Sequence, residues 1–120
     1  MSSKFGDYIA EKRKKWDITL RGMAEKLEIA APYLSDIEKG RRNPPNIDML
    51  EKMALFLKLS AFEKSELFDL AGKERNEVSP DLPEYIMELP EARTALRKAR
   101  DMGKNDEFWK KVSETLDQGE

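Results

Sequence analysis

Arg41, Arg42 and Asn43 stand in a row between Gly40 and Pro44-Pro45, and they carry the clearest capacity for chemistry in this 120-residue chain. A guanidinium presents a planar fork of N–H donors that matches phosphate oxygens, so adjacent arginines in a loop suit contacts to a phosphodiester backbone. Such contacts position a protein without reading sequence. Just upstream, Ser35 and Asp36 carry hydrogen-bonding side chains, Ala31 and Pro32 offer shape and apolar contact, and Tyr33 ends in a hydroxyl. An aspartate can accept from a cytosine amino group, whereas Ala and Pro can only touch a thymine methyl. The Tyr33 hydroxyl either reaches a phosphate or the ring simply packs. The chemistry expected is therefore recognition rather than bond making. The chain has no histidine and no cysteine, which removes the usual general base, thiol nucleophiles, disulfides and Cys/His zinc sites. Its carboxylates are scattered along helical faces, and no glycine-rich phosphate-binding loop occurs. No enzymatic activity, cofactor or metal is expected.

The elements that must hold these residues follow from periodicity. Leu20, Met23, Ala24 and Leu27 recur at i, i+3, i+4 and i+7, the spacing of one helical face, with Thr19 as N-cap. After a break at Glu28-Ile29-Ala30, Pro32 is acceptable in the first turn of another short helix over about 31–39, with Leu34 and Ile37 on its buried side. Gly40 ends it, and Pro44-Pro45 forbid its resumption. Before this pair, Ser3 to Trp16 reads as a helix with Phe5, Ile9 and Trp16 inward; Lys12 falls where the stripe wants an apolar residue, a gap that Trp16 or the lysine's own methylenes can cover. After it, Asn46 caps a fourth helix carrying Ile47, Leu50, Met53, Ala54 and Leu57, and Ser60 with Glu63 forms a capping box for a fifth that stops at Gly72. Residues 1–72 thus make one domain. Lys73 to Pro80 reads as a linker, and 73–120 as linker plus helical extension. There Asp81 caps a short helix over Leu82, Tyr85, Ile86 and Leu89, Pro90 opens another reaching Met102 and Gly103, and Asn105 caps a last one with Phe108, Trp109, Val112 and Leu116. No strand alternation occurs, so the expected class is all-α.

Charge divides the chain. Residues 1–58 hold 12 Lys+Arg against 9 Asp+Glu, a net of +3, and 59–120 hold 10 against 15, a net of −5. A mildly basic first half suits nucleic acid; the acidic second half does not. The N-terminus MSSKFGDY lacks the apolar core of a signal peptide, no run spans a bilayer, and a cytoplasmic location is expected.

Phe5 to about Leu59 resembles the Xre-type helix-turn-helix domain of phage repressors and bacterial regulators. The resemblance is closest in Met23-Ala24-Glu25-Lys26-Leu27, in Tyr33-Leu34-Ser35-Asp36-Ile37-Glu38-Lys39-Gly40-Arg41-Arg42-Asn43-Pro44 and in the apolar fourth helix. It implies a five-helix repressor-like fold. The helix from Ala31 would enter the major groove, and dimers would bind half-sites about one DNA turn apart. The implied DNA-contacting set is Thr19, Arg21, Ala31, Pro32, Tyr33, Ser35, Asp36, Lys39, Arg41, Arg42 and Asn43. Three positions depart from the family pattern. Glu28 replaces the usual turn glycine, at about 1–2 kcal/mol if it must be left-handed. Leu20 replaces a glutamine that touches the DNA backbone, leaving that contact to Thr19 or Arg21, and Ala30 replaces a capping serine. Glu38 sits where the helix dipole disfavours an anion. Arg13, one turn beyond Ile9, faces the same side, and the resemblance pairs the two in an internal salt bridge.

A transcriptional regulator of the repressor kind is the function expected, with double-stranded DNA as its partner. The alternative is an antitoxin whose C-terminal helices bind a toxin protein. Leu67, Phe68, Tyr85, Ile86, Leu89, Leu96, Phe108, Trp109 and Leu116 are many apolar side chains for short helices to hide, so either one extended core or a homodimer through the second half is expected, with Phe108 and Trp109 buried. Arg93, Arg97 and Arg100 share a helix face that reads as solvated.

Overall fold

The computed structural model describes residues 3–119, which contain eight helices and no strand. One compact unit extends as far as Pro83 and holds α1 (Lys4–Lys15), α2 (Leu20–Leu27), α3 (Ala31–Glu38), α4 (Ile47–Phe56) and α5 (Ala61–Glu74). The second begins at Glu84, within α6 (Pro83–Met87), and holds α7 (Pro90–Asp101) and α8 (Asp106–Asp117). The chain is an all-α helix-turn-helix fold with a helical extension.

Side-chain caps start α1, α2, α4 and α5. Ser3, Thr19 and Asn46 accept from the backbone N–H of Gly6, Gly22 and Met49, at 2.9, 2.9 and 3.0 Å. Ser60 and Glu63 complete the reciprocal capping box. Each satisfies a donor that the first helical turn leaves unpaired.

Helix ends share one device. Asp17, Glu28, Gly40, Lys58 and Asn76, after α1 to α5, are all left-handed, with φ between 55° and 77°. In each case the next residue's N–H reaches back to the last helical turn, as from Ile18 to Arg13, Ile29 to Ala24, Arg41 to Asp36, Leu59 to Ala54 and Glu77 to Gly72. This satisfies carbonyls that would otherwise be orphaned. Ile18, Ile29 and Leu59, the residues that reach back after α1, α2 and α4, pack partly buried against the core. That burial offsets the strain of a non-glycine residue in this conformation. Glu28 does adopt the conformation, at φ 60° and ψ 42°. Glu28→Gly should therefore raise unfolding stability by up to about 1 kcal/mol, less than the full strain because glycine also loosens the unfolded chain. Urea unfolding checks this, and a loss of stability would contradict it.

The core gathers Phe5 and Ile9 from α1, Met23, Ala24 and Leu27 from α2, Leu34 and Ile37 from α3, Leu50, Met53 and Ala54 from α4 with Leu57 at its end, and Leu67, Phe68 and Ala71 from α5. Trp16, expected inward, is 45% exposed. It lies past the end of α1 and turns its indole N–H to the Leu57 carbonyl at 2.8 Å. Lys12 resolves its misfit by pairing with Glu63 at 2.7 Å, with its ammonium 5.1 Å from the Tyr8 ring centroid. The Tyr8 hydroxyl donates to the Glu63 carbonyl at 3.0 Å and to Glu66 at 3.2 Å, so α1 is latched to α5. Burial and the Glu66 hydrogen bond hold the Tyr8 hydroxyl above its ordinary pKa. The Lys12 hydrogen bond, helped by the Ser60 N–H, draws Glu63 down to about 2.

A depressed carboxylate stabilises fully above its unfolded pKa, here 4.5, and loses that contribution as the pH falls toward 2. Across this window the melting temperature should fall more steeply for the parent chain than for Glu63→Gln. Parallel curves would contradict the expectation.

The fifth helix does not stop at Gly72. It continues to Glu74, and Gly72 is buried because Glu77 to Ser79 fold back over it. A Cβ there would lie 2.9 Å from the carbonyl oxygens of both Glu77 and Val78. The segment expected as a linker is thus partly packed, with Ser79 buried and its hydroxyl donating to Asp81 at 2.6 Å.

In the second unit, Arg93 donates to the carbonyls of Ile86 and Met87 at the end of α6, so it serves as a cap rather than as part of a solvated face. Asn105 caps α8 by accepting from the Glu107 N–H at 3.1 Å. Phe108 and Trp109 meet edge to face, 5.0 Å apart. They are half-buried, not buried, and Leu116 is exposed. Two 12-residue helices and part of a third are too few to enclose such side chains among themselves.

Candidate nucleic-acid interface

α3 turns Leu34 and Ile37 into the core and leaves its other side open. Pro32 is exposed there and Ser35 and Asp36 are half-buried, while Ala31 and Tyr33 are half-buried and pack in part against the core. Ala30 supplies no side-chain cap, and Pro32, in the first turn, has no N–H to be capped. Past the C-terminal end, Gly40 takes φ 77° and the Arg41 N–H returns to Asp36 O at 2.8 Å. That turn throws Lys39, Arg41, Arg42 and Asn43 outward, all exposed.

The arginines are tied to α3. The Arg42 guanidinium lies 5.4 Å from the Tyr33 ring centroid. Arg41 Nη1 is 3.7 Å from Asp36 Oδ1, with the Arg41 side chain exposed and that of Asp36 half-buried, a solvent-accessible pairing worth about 0–1 kcal/mol. Pro44 and Pro45 are buried where the loop turns back, so they anchor it as well as preventing helix. Arg75 donates to the Pro44 carbonyl and braces the loop from α5's far end. Sequence reasoning missed Arg75, which is 31 residues from its partner and carries no local signal.

Below the surface, Arg13 and Glu38 meet in a fork: Nε to Oε2 and Nη2 to Oε1, both 2.9 Å. Their side chains are only 10% and 8% exposed. The remaining nitrogen, Nη1, donates to Ile18 O at 2.9 Å, so one guanidinium ties α1 to the α1–α2 loop and to the end of α3. The Glu38 hydrogen bond raises the Arg13 pKa against the opposing effect of burial. Gly6 lets the helices come this close, since a Cβ there would sit 2.1 Å from the Glu38 carbonyl oxygen.

Thr19 and Arg21 lie at the start of α2, both exposed, with the Thr19 hydroxyl oxygen engaged as the cap. The structure therefore brings Tyr33, Asp36, Arg41 and Arg42 together and places Thr19 and Arg21 on a separate element.

Residues 9–64 match the family model described as helix-turn-helix. Two proteins named uncharacterized HTH-type transcriptional regulator, from two strains of Mycobacterium tuberculosis, are each 36% identical over 56 residues, covering 47% of this chain. The chain spans 39% of the length of these relatives. No solved structure matches the chain. No helix among the described residues is long and apolar enough to cross a membrane. The segment 9–64, which holds the Arg13–Glu38 fork, the exposed side of α3 and the arginine loop, is the part of the chain that matches the helix-turn-helix family.

Proposed function

We propose that the chain is a sequence-specific DNA-binding transcriptional regulator that represses by occupying its operator as a homodimer. The observation that carries this reading is the arginine loop held against the open side of α3 by the Arg42–Tyr33 and Arg41–Asp36 contacts. In this reading Thr19, Arg21, Lys39, Arg41, Arg42 and Asn43 meet phosphates. Ala31, Pro32, Ser35 and Asp36 face base edges, with Tyr33 between the two groups. The names of the two relatives support regulation of transcription. Tyr85, Leu96 and Leu116, left exposed on the second unit, support a second copy as partner.

Selection of bound duplexes from a random pool, followed by titration at several salt concentrations, tests the reading. Arg41→Ala with Arg42→Ala should weaken every sequence alike and lower the salt slope by about 1 for each phosphate no longer neutralised. Asp36→Ala should change which bases are preferred, at about 1–3 kcal/mol of discrimination. A folded chain that binds no duplex at low salt would overturn the reading, and the reverse pattern would exchange the two roles.

A further inference from the structure

Trp16 holds two cations. Its ring centroid is 5.7 Å from the Lys15 ammonium and 5.3 Å from that of Lys58, within the range where the ring's negative face attracts a cation. The indole N–H is already committed to Leu57, and nearly half of the residue remains open to solvent. Among the described residues neither ammonium lies within ion-pair distance of a carboxylate, Asp17 included. Two positive charges are thus kept beside one exposed aromatic, neither of them in direct ion-pair contact with a carboxylate of the described residues. Such an arrangement concentrates an anion from solution.

Its position is fixed by what surrounds it. Trp16 is three residues before Thr19, a span of at most about 11 Å even in extended chain. It is also one turn past Arg13, whose guanidinium holds Ile18 on one side and Glu38, at the root of the arginine loop, on the other.

We infer that Lys15, Lys58 and Trp16 form a second phosphate-binding patch that grips duplex DNA outside the bases faced by α3. Lysine suits the task, because a mobile point charge follows a backbone whose sequence does not matter. The inference rests on the DNA-binding reading above and enlarges the footprint it implies.

The test uses the full chain carrying Trp109→Phe, which leaves Trp16 as the sole tryptophan. Two duplexes contain the same selected site, one trimmed to the site and one extended on both flanks. The extended duplex should bind more tightly and change Trp16 emission, whereas the trimmed one should not change it. Lys15→Gln with Lys58→Gln should remove the length effect, lower the salt slope by about 0.9 per ammonium removed, and leave base preference unchanged. Binding with no change in Trp16 emission, or an unchanged slope in the double variant, overturns the inference while leaving the DNA-binding reading standing. So does an equal emission response to inorganic phosphate, or to a single strand of the same length. A parent chain that binds no duplex removes both readings together.

Discussion

Gly6→Ala is expected to destabilise the first unit by about 3 kcal/mol or more, at or beyond the usual upper end for overpacking. The added carbon would lie 2.1 Å from the Glu38 carbonyl oxygen, 2.6 Å from its carbon and 2.8 Å from the Ile37 carbonyl oxygen. All three are backbone atoms, so no rotamer change relieves the clash. Only separation of α1 from the end of α3 would do so, and that separation pulls Arg13 from Glu38. In an unconstrained helix the same change would stabilise, because alanine is the better helix former by about 1 kcal/mol. Gly22→Ala is the control, since its Cβ would meet only the Thr19 hydroxyl at 2.9 Å, and a change of less than about 1 kcal/mol is expected there. Urea unfolding of the two variants decides the matter. A Gly6→Ala chain within about 0.5 kcal/mol of the parent, the range of an unconstrained surface change, would show that the helices are not held at this spacing.

Removing either partner of the Arg13–Glu38 fork should cost about 3–5 kcal/mol, because the survivor is a charge stranded in a site no more than about a tenth exposed. Arg13→Met leaves the carboxylate without its two donors and Ile18 O without its own. Glu38→Leu leaves a guanidinium with one carbonyl. The double variant should recover much of the loss, since apolar side chains of similar bulk can fill a buried ionic site at little net cost. A coupling free energy of about 1–3 kcal/mol from the double-mutant cycle is therefore expected. Single variants each within about 0.5 kcal/mol of the parent would show the fork to be idle. DNA affinity gives a second readout: at temperatures where Arg13→Met remains folded it should still bind less tightly, because α3 loses the anchor that sets its angle.

Much of this architecture is legible in the sequence, for identifiable reasons. The caps at Thr19, Asn46 and Ser60 and the apolar spacings of α2 to α5 are local signals, and local physics makes them. The fork between Arg13 and Glu38 is not local; it is suggested by the resemblance, aided by the placement of an anion against the helix dipole. Gly6 gives no signal at all, because in a sequence it is only a weak helix former, and its meaning lies in a backbone 32 residues away. The latch of Tyr8 and Lys12 onto α5 is hidden likewise, Lys12 showing only as a break in an apolar stripe. Gly72 misleads for the opposite reason: a glycine near a helix end reads as a terminator, yet here it makes room for the returning chain. In the site, the arginine loop declares itself by composition. Its restraints through Tyr33, Asp36 and Arg75 do not.

The latch on α1 also bears on the order in which this molecule takes shape during synthesis. α1 emerges first, and its fork partner Glu38 follows 25 residues later. The partners of Tyr8 and Lys12 follow only after 51 to 58 residues. Closing the shorter loop is entropically easier, so a growing chain can clamp α1 to α3 well before α5 exists. The side of α3 left open to solvent is then set in its angle early, and the last contacts to form fasten the far flank of the unit. Chains interrupted before Glu63 would retain the fork but not the latch. They should expose Tyr8, the apolar side of α4 and the unclosed edge of the core together, which marks incomplete chains for aggregation or proteolysis rather than for competition with the finished protein.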